Sequence, residues 1–339
     1  MKLVVFEVEP HEAPAFKRLE AQNEVVLIEG PLRAADASKF SDAEIVSTFF
    51  HSELDRHVLE QLPALRLIAT RSTGFDHIDT AYCVERKITI SNVPTYGENT
   101  VAEHVFALLL TISHRMREAV DCARNGEFSP LGLQGFDLKS KTLGVLGVGN
   151  IGRHVIRIAQ GFEMKVIACD LRPDEELARK LGFRYAQFEE VLGVADVLTL
   201  HVPSTPETSN YLSHTEFARM KDGVVLINTA RGSLIDVRAL IEALRRGKVA
   251  AAGLDVLPDE PMIREEAELI CSVFCNQRDL RNLVADHVLL RMPNVVVTPH
   301  SAFNTREAVG RIVDTTIKNI KAFVEGQPQN VVTARWLSA

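Results

Sequence analysis

Short apolar runs rich in β-branched residues recur along the chain and alternate with helix-like stretches. In the first hundred residues, runs at 3–8, 24–28, 44–50, 65–72 and 88–93 read as strands, with helices between them, for example at 12–21 and 55–62. A second series starts at Thr142, with strand-like runs at 142–148, 165–170, 196–202, 223–229, 249–256 and 294–298. Strands alternating with helices predict α/β architecture with parallel sheets. The first series suffices for one small doubly wound domain and the second for a larger one.

The joint between the two series predicts a helix over 101–116. Thr100 and Glu103 have the spacing of a capping box. Val101, Val105, Leu108 and Ile112 fall on one side, and Phe106, Leu109 and Leu110 on another. A helix with more than one apolar face must be buried on more than one side. Coverage by its own core and by a second subunit predicts a two-fold homodimer.

Length and composition narrow the class. A chain of 339 residues suits two domains, and 46% hydrophobic with 24% charged residues is globular composition. A net charge of −7 argues against nucleic acid or an acidic membrane as the main partner. No apolar run reaches transmembrane length. The start, Met1-Lys2-Leu3-Val4-Val5-Phe6-Glu7, reads as a first strand and not as a signal peptide, so a cytoplasmic location is expected. Five cysteines (83, 122, 169, 271 and 275) form no disulfide framework. Cys271 and Cys275 are four apart but lack further ligands nearby, so no metal is expected.

The candidate chemistry begins where the second series does. Leu143-Gly144-Val145-Leu146 runs into Gly147-Val148-Gly149-Asn150-Ile151-Gly152, and the next apolar run ends at Asp170. Gly147 permits a tight turn, Gly149 lets backbone approach a pyrophosphate at a helix start, and Gly152 lets the helix pack on its strand. Asp170 can accept hydrogen bonds from ribose hydroxyls and repel a 2′-phosphate, which predicts NAD over NADP. Three further segments sit at expected strand ends: Asn228-Thr229-Ala230-Arg231-Gly232, Asp255-Val256-Leu257-Pro258-Asp259-Glu260, and Thr298-Pro299-His300-Ser301-Ala302. They bring a cation, a carboxylate and an imidazole to one rim. Hydride transfer on a 2-hydroxy acid needs a fork for the carboxylate, an acid/base for the hydroxyl proton, and a carboxylate that orients the imidazole and raises its pKa.

With Arg71-Ser72-Thr73-Gly74-Phe75-Asp76-His77-Ile78-Asp79, Asn92-Val93-Pro94-Thr95-Tyr96 and Ala102-Glu103-His104, the ordered set resembles the D-isomer-specific 2-hydroxyacid dehydrogenases. Within that family it is most similar to the D-lactate dehydrogenase branch. The resemblance implies two doubly wound Rossmann-like α/β domains with parallel sheets and a cleft between them. Residues 1–99 plus 300–339 would form a discontinuous substrate domain and 100–299 the NAD-binding domain. Arg231, Glu260 and His300 would be catalytic. Gly147, Gly149, Asn150, Ile151, Gly152, Asp170, Val202, Pro203, Thr208, Thr229, Ala230 and Asp255 would hold NAD. Thr73, Gly74, Tyr96 and Arg231 would hold a small 2-oxo or 2-hydroxy acid. The expected reaction interconverts D-lactate and pyruvate. Glycerate, hydroxyisocaproate or aromatic hydroxy acids are alternatives, and a dinucleotide-sensing, co-repressor-like binding protein is an alternative of another class. Asn304 stands where that branch often has an aromatic residue. His201 is a rival imidazole read as pocket wall, His77 and His104 are read as structural, and Phe49, Phe50 and His51 either line the substrate pocket or end a strand. The connection over 263–291 is long, with helix-like pieces at 264–276 and 279–290.

Overall fold

The computed structural model describes residues 1–258 and 285–332. Glu260, Cys271, Cys275, the helix-like piece at 264–276 and the first part of that at 279–290 lie outside the described residues; residues 285–291 are helical. The chain divides into two compact units, Met1–Tyr96 with Thr305–Ala339, and Gly97–Asn304. Both are α/β with parallel sheets, as the alternation predicts.

In the first unit, β1 (Lys2–Val5), β2 (Glu24–Leu27), β3 (Ile45–Thr48), β4 (Leu67–Thr70) and β5 (Thr89–Ser91) form one sheet in the order β2-β1-β3-β4-β5. Successive residues of these strands point to opposite faces, and both faces are covered. Val4, Val46, Ile68 and Ile90 enter one core, while Leu3, Val5, Ile45 and Leu67 enter the other. Burial on both faces is why the strands read as continuous apolar runs. The second face is closed by the helix Arg306–Val324, through Val313, Ile317 and Ile320. Thr305 caps that helix by accepting from the Ala308 N–H. The chain then returns to β5, where Val332 N–H donates to Ile90 O at 2.8 Å.

A buried charge sits at the carboxyl end of this sheet. Arg71 is 1% exposed, and its Nη1 donates to Glu12 Oε2 at 2.8 Å. Nη2 donates to the carbonyls of Phe6 and Glu7. The Glu7 carboxylate in turn accepts from the N–H groups of Phe49 and His51, both at 3.1 Å, and from Ser52 Oγ. The segment read from sequence as a strand end or pocket wall is therefore held by a charged network within its own unit.

The second unit has seven strands: β6 (Thr142–Leu146), β7 (Lys165–Cys169), β8 (Arg184–Tyr185), β9 (Val197–Leu200), β10 (Val224–Asn228), β11 (Val249–Leu254) and β12 (Val295–Val297). Their order is β12-β11-β10-β9-β6-β7-β8. The order reverses between β6 and β9, and such a switch point is where an open parallel sheet takes its ligand. Six strands were expected here; β8, at two residues, is too short to show as a hydrophobic run.

The expected start of the joint helix is corrected. The helix spans Glu98–Ser113 from an N-cap at Gly97, so Thr100 lies inside it and forms no capping box. A separate helix, Met116–Arg124, begins after Arg115 turns left-handed at φ +50°. Much of the apolar surface of Glu98–Ser113 is covered within the chain, with Leu110 and Ile112 left half-buried. Ala102, Val105, Phe106, Leu108 and Leu109 share a core with Val145, Val155, Ile156 and Ile227. The exposed apolar side chains instead come after it: Met116, Val120, Phe128 and Leu131, the last two 87% and 90% exposed. No helix among the described residues is long and apolar enough to cross a membrane.

Removing one partner of a buried ion pair leaves the other charge uncompensated. Glu12→Ala is expected to destabilise the first unit by about 3–5 kcal/mol in urea denaturation. A loss below about 1 kcal/mol would show that Arg71 does not depend on Glu12.

Candidate active site

The ladder of the second sheet continues past the last strand residues and gathers the three rim segments. Asp255 N–H donates to Asn228 O at 2.9 Å, and Thr298 N–H to Leu254 O at 2.9 Å. His300 N–H donates to Asp255 O at 2.8 Å and to Thr298 O at 3.0 Å. Arg231 follows β10, Asp255 follows β11, and His300 follows β12.

Asp255 is the centre of this rim. Its side chain is 1% exposed. Oδ1 accepts from Thr298 Oγ1 at 2.5 Å and from Ser301 N–H at 2.9 Å, and Oδ2 accepts from Ala302 N–H at 2.9 Å. Because the Thr298 hydroxyl donates to Asp255, its oxygen is left to accept from His104 Nε2, 2.9 Å away. His104 Nε2 also lies 3.4 Å from Asp255 Oδ1. Burial by itself raises the Asp255 carboxyl, but the hydrogen bonds from His104, Thr298 and the N–H groups of Ala302 and Ser301 outweigh it and hold the group below its ordinary value.

This clamp sets the backbone of His300, which sits in the left-handed region at φ +49°. That conformation is uncommon outside glycine and persists where surrounding contacts enforce it. The N–H of His300 and those of the next two residues all end on Asp255, by its carbonyl or its carboxylate. The imidazole is half-buried. Arg231 is also half-buried, and its Nη1 donates to Ala230 O at 2.8 Å. Gly232 is dictated by close approach: a Cβ there would lie 2.1 Å from the Leu257 carbonyl carbon. The turn carrying Arg231 is thus wedged against the backbone that leads toward Glu260.

His201 is half-buried, with its ring nitrogens turned inward. Its Nε2 pairs with Thr199 Oγ1 at 3.0 Å, and its buried Nδ1 has no partner among the described residues. Burial pushes its pKa down to about 3, so it remains neutral across the physiological range. Its backbone does matter here, since His201 O lies 2.6 Å from where a Cβ on Gly147 would be.

The residues present fit a dinucleotide. Gly147 has φ +92°, and a Cβ on Gly152 would lie 2.2 Å from Gly147 O. The loop is therefore closed tightly under the start of the helix Asn150–Gly161. A Cβ on Gly149 would meet nothing within 4 Å, so that side of the loop is open. The first N–H groups of a helix lack partners in the helix itself and suit a pyrophosphate. Asp170 follows β7 and is held by Val148 N–H on Oδ2 at 2.7 Å and Arg172 N–H on Oδ1 at 2.8 Å. Each oxygen keeps a further lone pair for a ribose hydroxyl. Thr208 Oγ1 donates to Pro203 O at 2.7 Å, which orders the loop after Val202. Thr229 Oγ1 is buried without a partner among the described residues.

In the first unit, Thr73 Oγ1 donates to Val93 O at 2.8 Å and Asn92 Nδ2 to Thr73 O at 2.8 Å. Tyr96 O accepts from Arg311 Nε at 2.6 Å. Ser72 Oγ donates to Gly74 O at 2.5 Å, and together these bonds fix the backbone at Thr73, Gly74 and Tyr96 within that unit. Sequence reasoning missed Thr298 and the bond from His104, which join residues distant in the chain. It also missed Asn228, a buried polar residue at the end of an apolar strand.

The family model for the D-isomer specific 2-hydroxyacid dehydrogenase NAD binding domain matches residues 106–302. A 2-hydroxyacid dehydrogenase homolog of Haemophilus influenzae is 33% identical, over 98% of this chain and 99% of that one. A glyoxylate reductase of Thermococcus litoralis is 34% identical, over 89% and 87%. The structure of D-lactate dehydrogenase from Aquifex aeolicus, complexed with NAD and lactic acid, superposes with a TM-score of 0.87 at 34% identity, covering 96% of each chain.

Because Asp255 titrates lower in the folded chain than its ordinary 3.8, it adds stability above that value that is lost as pH falls through the depressed one. Asp255→Asn is expected to unfold at lower urea than the parent at pH 7, with the gap narrowing below about pH 4. A gap independent of pH would contradict the charge assigned to this carboxyl.

Proposed function

The chain belongs to the D-isomer-specific 2-hydroxyacid dehydrogenase family, whose members are NAD-dependent oxidoreductases, and we propose that this one interconverts D-lactate and pyruvate through Arg231, His300 and Glu260. The observation that carries the assignment of roles is the rim itself. A half-buried guanidinium and a half-buried imidazole follow β10 and β12, the parallel strands on either side of β11, each on a turn held by buried polar groups. The choice of pyruvate is supported by likeness along nearly the whole chain to the D-lactate dehydrogenase of Aquifex aeolicus.

In reduction, the planar fork of Arg231 takes the substrate carboxylate in a bidentate grip and steadies the carbonyl oxygen. His300, as imidazolium, donates its proton to that oxygen as it becomes a hydroxyl. Glu260 pairs with His300 and orients it. In oxidation, neutral His300 takes the hydroxyl proton. NAD, when bound, supplies or accepts the hydride. The loop from Gly147 to Gly152 holds its pyrophosphate, with Asn150 and Ile151 at the helix start. Asp170 holds the adenosine ribose, and Val202, Pro203, Thr208, Thr229, Ala230 and Asp255 border the rest. Thr73, Gly74 and Tyr96 contribute to the substrate. His201 is unsuited to the acid role, because it is neutral wherever the protein works.

A second reading, glyoxylate in place of pyruvate, is favoured by the relative named glyoxylate reductase. The carboxylate and carbonyl contacts would be the same, and only the side-chain pocket would differ. We read the protein as a cytoplasmic homodimer, with apolar area supplied by Met116, Val120, Phe128 and Leu131.

A panel of 2-oxo acids followed by NADH oxidation tests the reading. Pyruvate is expected to show the highest kcat/KM; glyoxylate in first place would establish the second reading. Arg231→Lys keeps the charge but loses the fork, and is expected to lower kcat/KM on the order of 100-fold with NADH affinity unchanged. No turnover of any 2-oxo acid would leave the dinucleotide-sensing role instead.

A further inference from the structure

We propose that Asn228 is the positioning residue of Arg231, its buried side-chain amide closing the turn from which the guanidinium is presented to the substrate carboxylate. The inference rests on the reading of Arg231 given above.

Asn228 is the last residue of β10 and is 1% exposed. A buried amide has to satisfy both its donor and its acceptor end. It does so on the two residues that flank the key peptide. Oδ1 accepts from Ala230 N–H at 3.0 Å, and Nδ2 donates to Arg231 O at 2.9 Å. The peptide between those two anchors carries Ala230 O, the carbonyl that receives Arg231 Nη1 at 2.8 Å. Pinning the peptides on either side fixes the direction of that carbonyl, and the carbonyl fixes one arm of the fork.

The backbone around Asn228 leaves the turn little room to relax. Asn228 O accepts from Asp255 N–H at 2.9 Å, so the residue that clamps the His300 turn is tied to the residue that closes the Arg231 turn. On the other side, Gly232 lies so close to Leu257 and Pro258 that a Cβ there would come within 2.4 Å of their backbone atoms. The turn is held from β11 and from within. The side-chain requirement is specific. Aspartate would accept from Ala230 N–H but set a second oxygen against Arg231 O. Serine is too short to reach both groups. A bidentate fork depends on orientation as well as charge, so a turn that swings should weaken substrate binding before it weakens the fold.

The test is a double-mutant cycle with Asn228→Ser and Arg231→Lys, reading kcat and KM for the preferred 2-oxo acid and the NADH dissociation constant. Asn228→Ser alone is expected to raise KM by about tenfold and to lower kcat, with NADH binding changed less than about twofold. In the Arg231→Lys background the same change should cost less than about threefold in kcat/KM, because the residue acts through the fork already lost. Equal fold-losses in the two backgrounds would overturn the inference, as would an unchanged KM in the single variant. If Arg231→Lys itself retains near-normal kcat/KM, the reading of Arg231 fails first, and the inference falls with it. If Arg231→Lys is impaired but Asn228→Ser is not, only the positioning role fails. Should Asn228→Ser not fold, Asn228→Asp keeps the volume and the acceptor and carries the same cycle.

Discussion

A carboxylate with 1% exposure must be fully hydrogen-bonded to remain charged. Asp255 meets that requirement by drawing the chain after β12 around itself: the hydroxyl of Thr298 and the N–H groups of Ser301 and Ala302. The left-handed turn at His300 follows from that demand. With the turn fixed, the backbone of His300 is bonded to Asp255 at the end of β11, and Asp255 in turn to Asn228. Sheet order, register and the identity of the rim residues all converge on this clamp.

The same physics, with the sign reversed, operates in the first unit. There a buried guanidinium, Arg71, collects the carbonyls of Phe6 and Glu7 and the carboxylate of Glu12. Glu7 then holds the backbone at Phe49 and His51. In each unit a buried charge at the carboxyl end of a parallel sheet organises the segments that emerge from it. Parallel strands end with backbone groups that the next strand does not satisfy, so a buried ion that binds several of them orders a loop more sharply than apolar packing can.

Much of the fold was legible because strands buried on both faces leave runs of apolar residues that need no partner to be seen. Their ends were less so. Val256 and Leu257 are buried and apolar, yet the strand stops at Leu254, since the chain there turns into the rim. The helix after Gly97 was legible as an element but not in its start. Its apolar girth reflects the sheet on one side and the helix Asn150–Gly161 on another, both within the same chain. Thr100 and Glu103 had the right spacing for a cap, but the helix begins before them. Arg231 and His300 could be read as motif residues because each motif is local. The supports could not. His104, Asp255 and Thr298 meet only in the folded chain, and Asn228 looks in sequence like the end of a strand.

The central claim is that His300, held by the Asp255 clamp, moves the proton. It is tested most directly by the pH dependence of kcat/KM in both directions, for the parent protein and for His300→Gln. Reduction should decline and oxidation should gain as the pH rises through the range in which imidazole titrates. His300→Gln should lose about 100-fold or more of both activities and, in what remains, both of those pH dependences. A variant that keeps the alkaline decline of reduction, or a parent whose reduction grows with rising pH, would contradict the account.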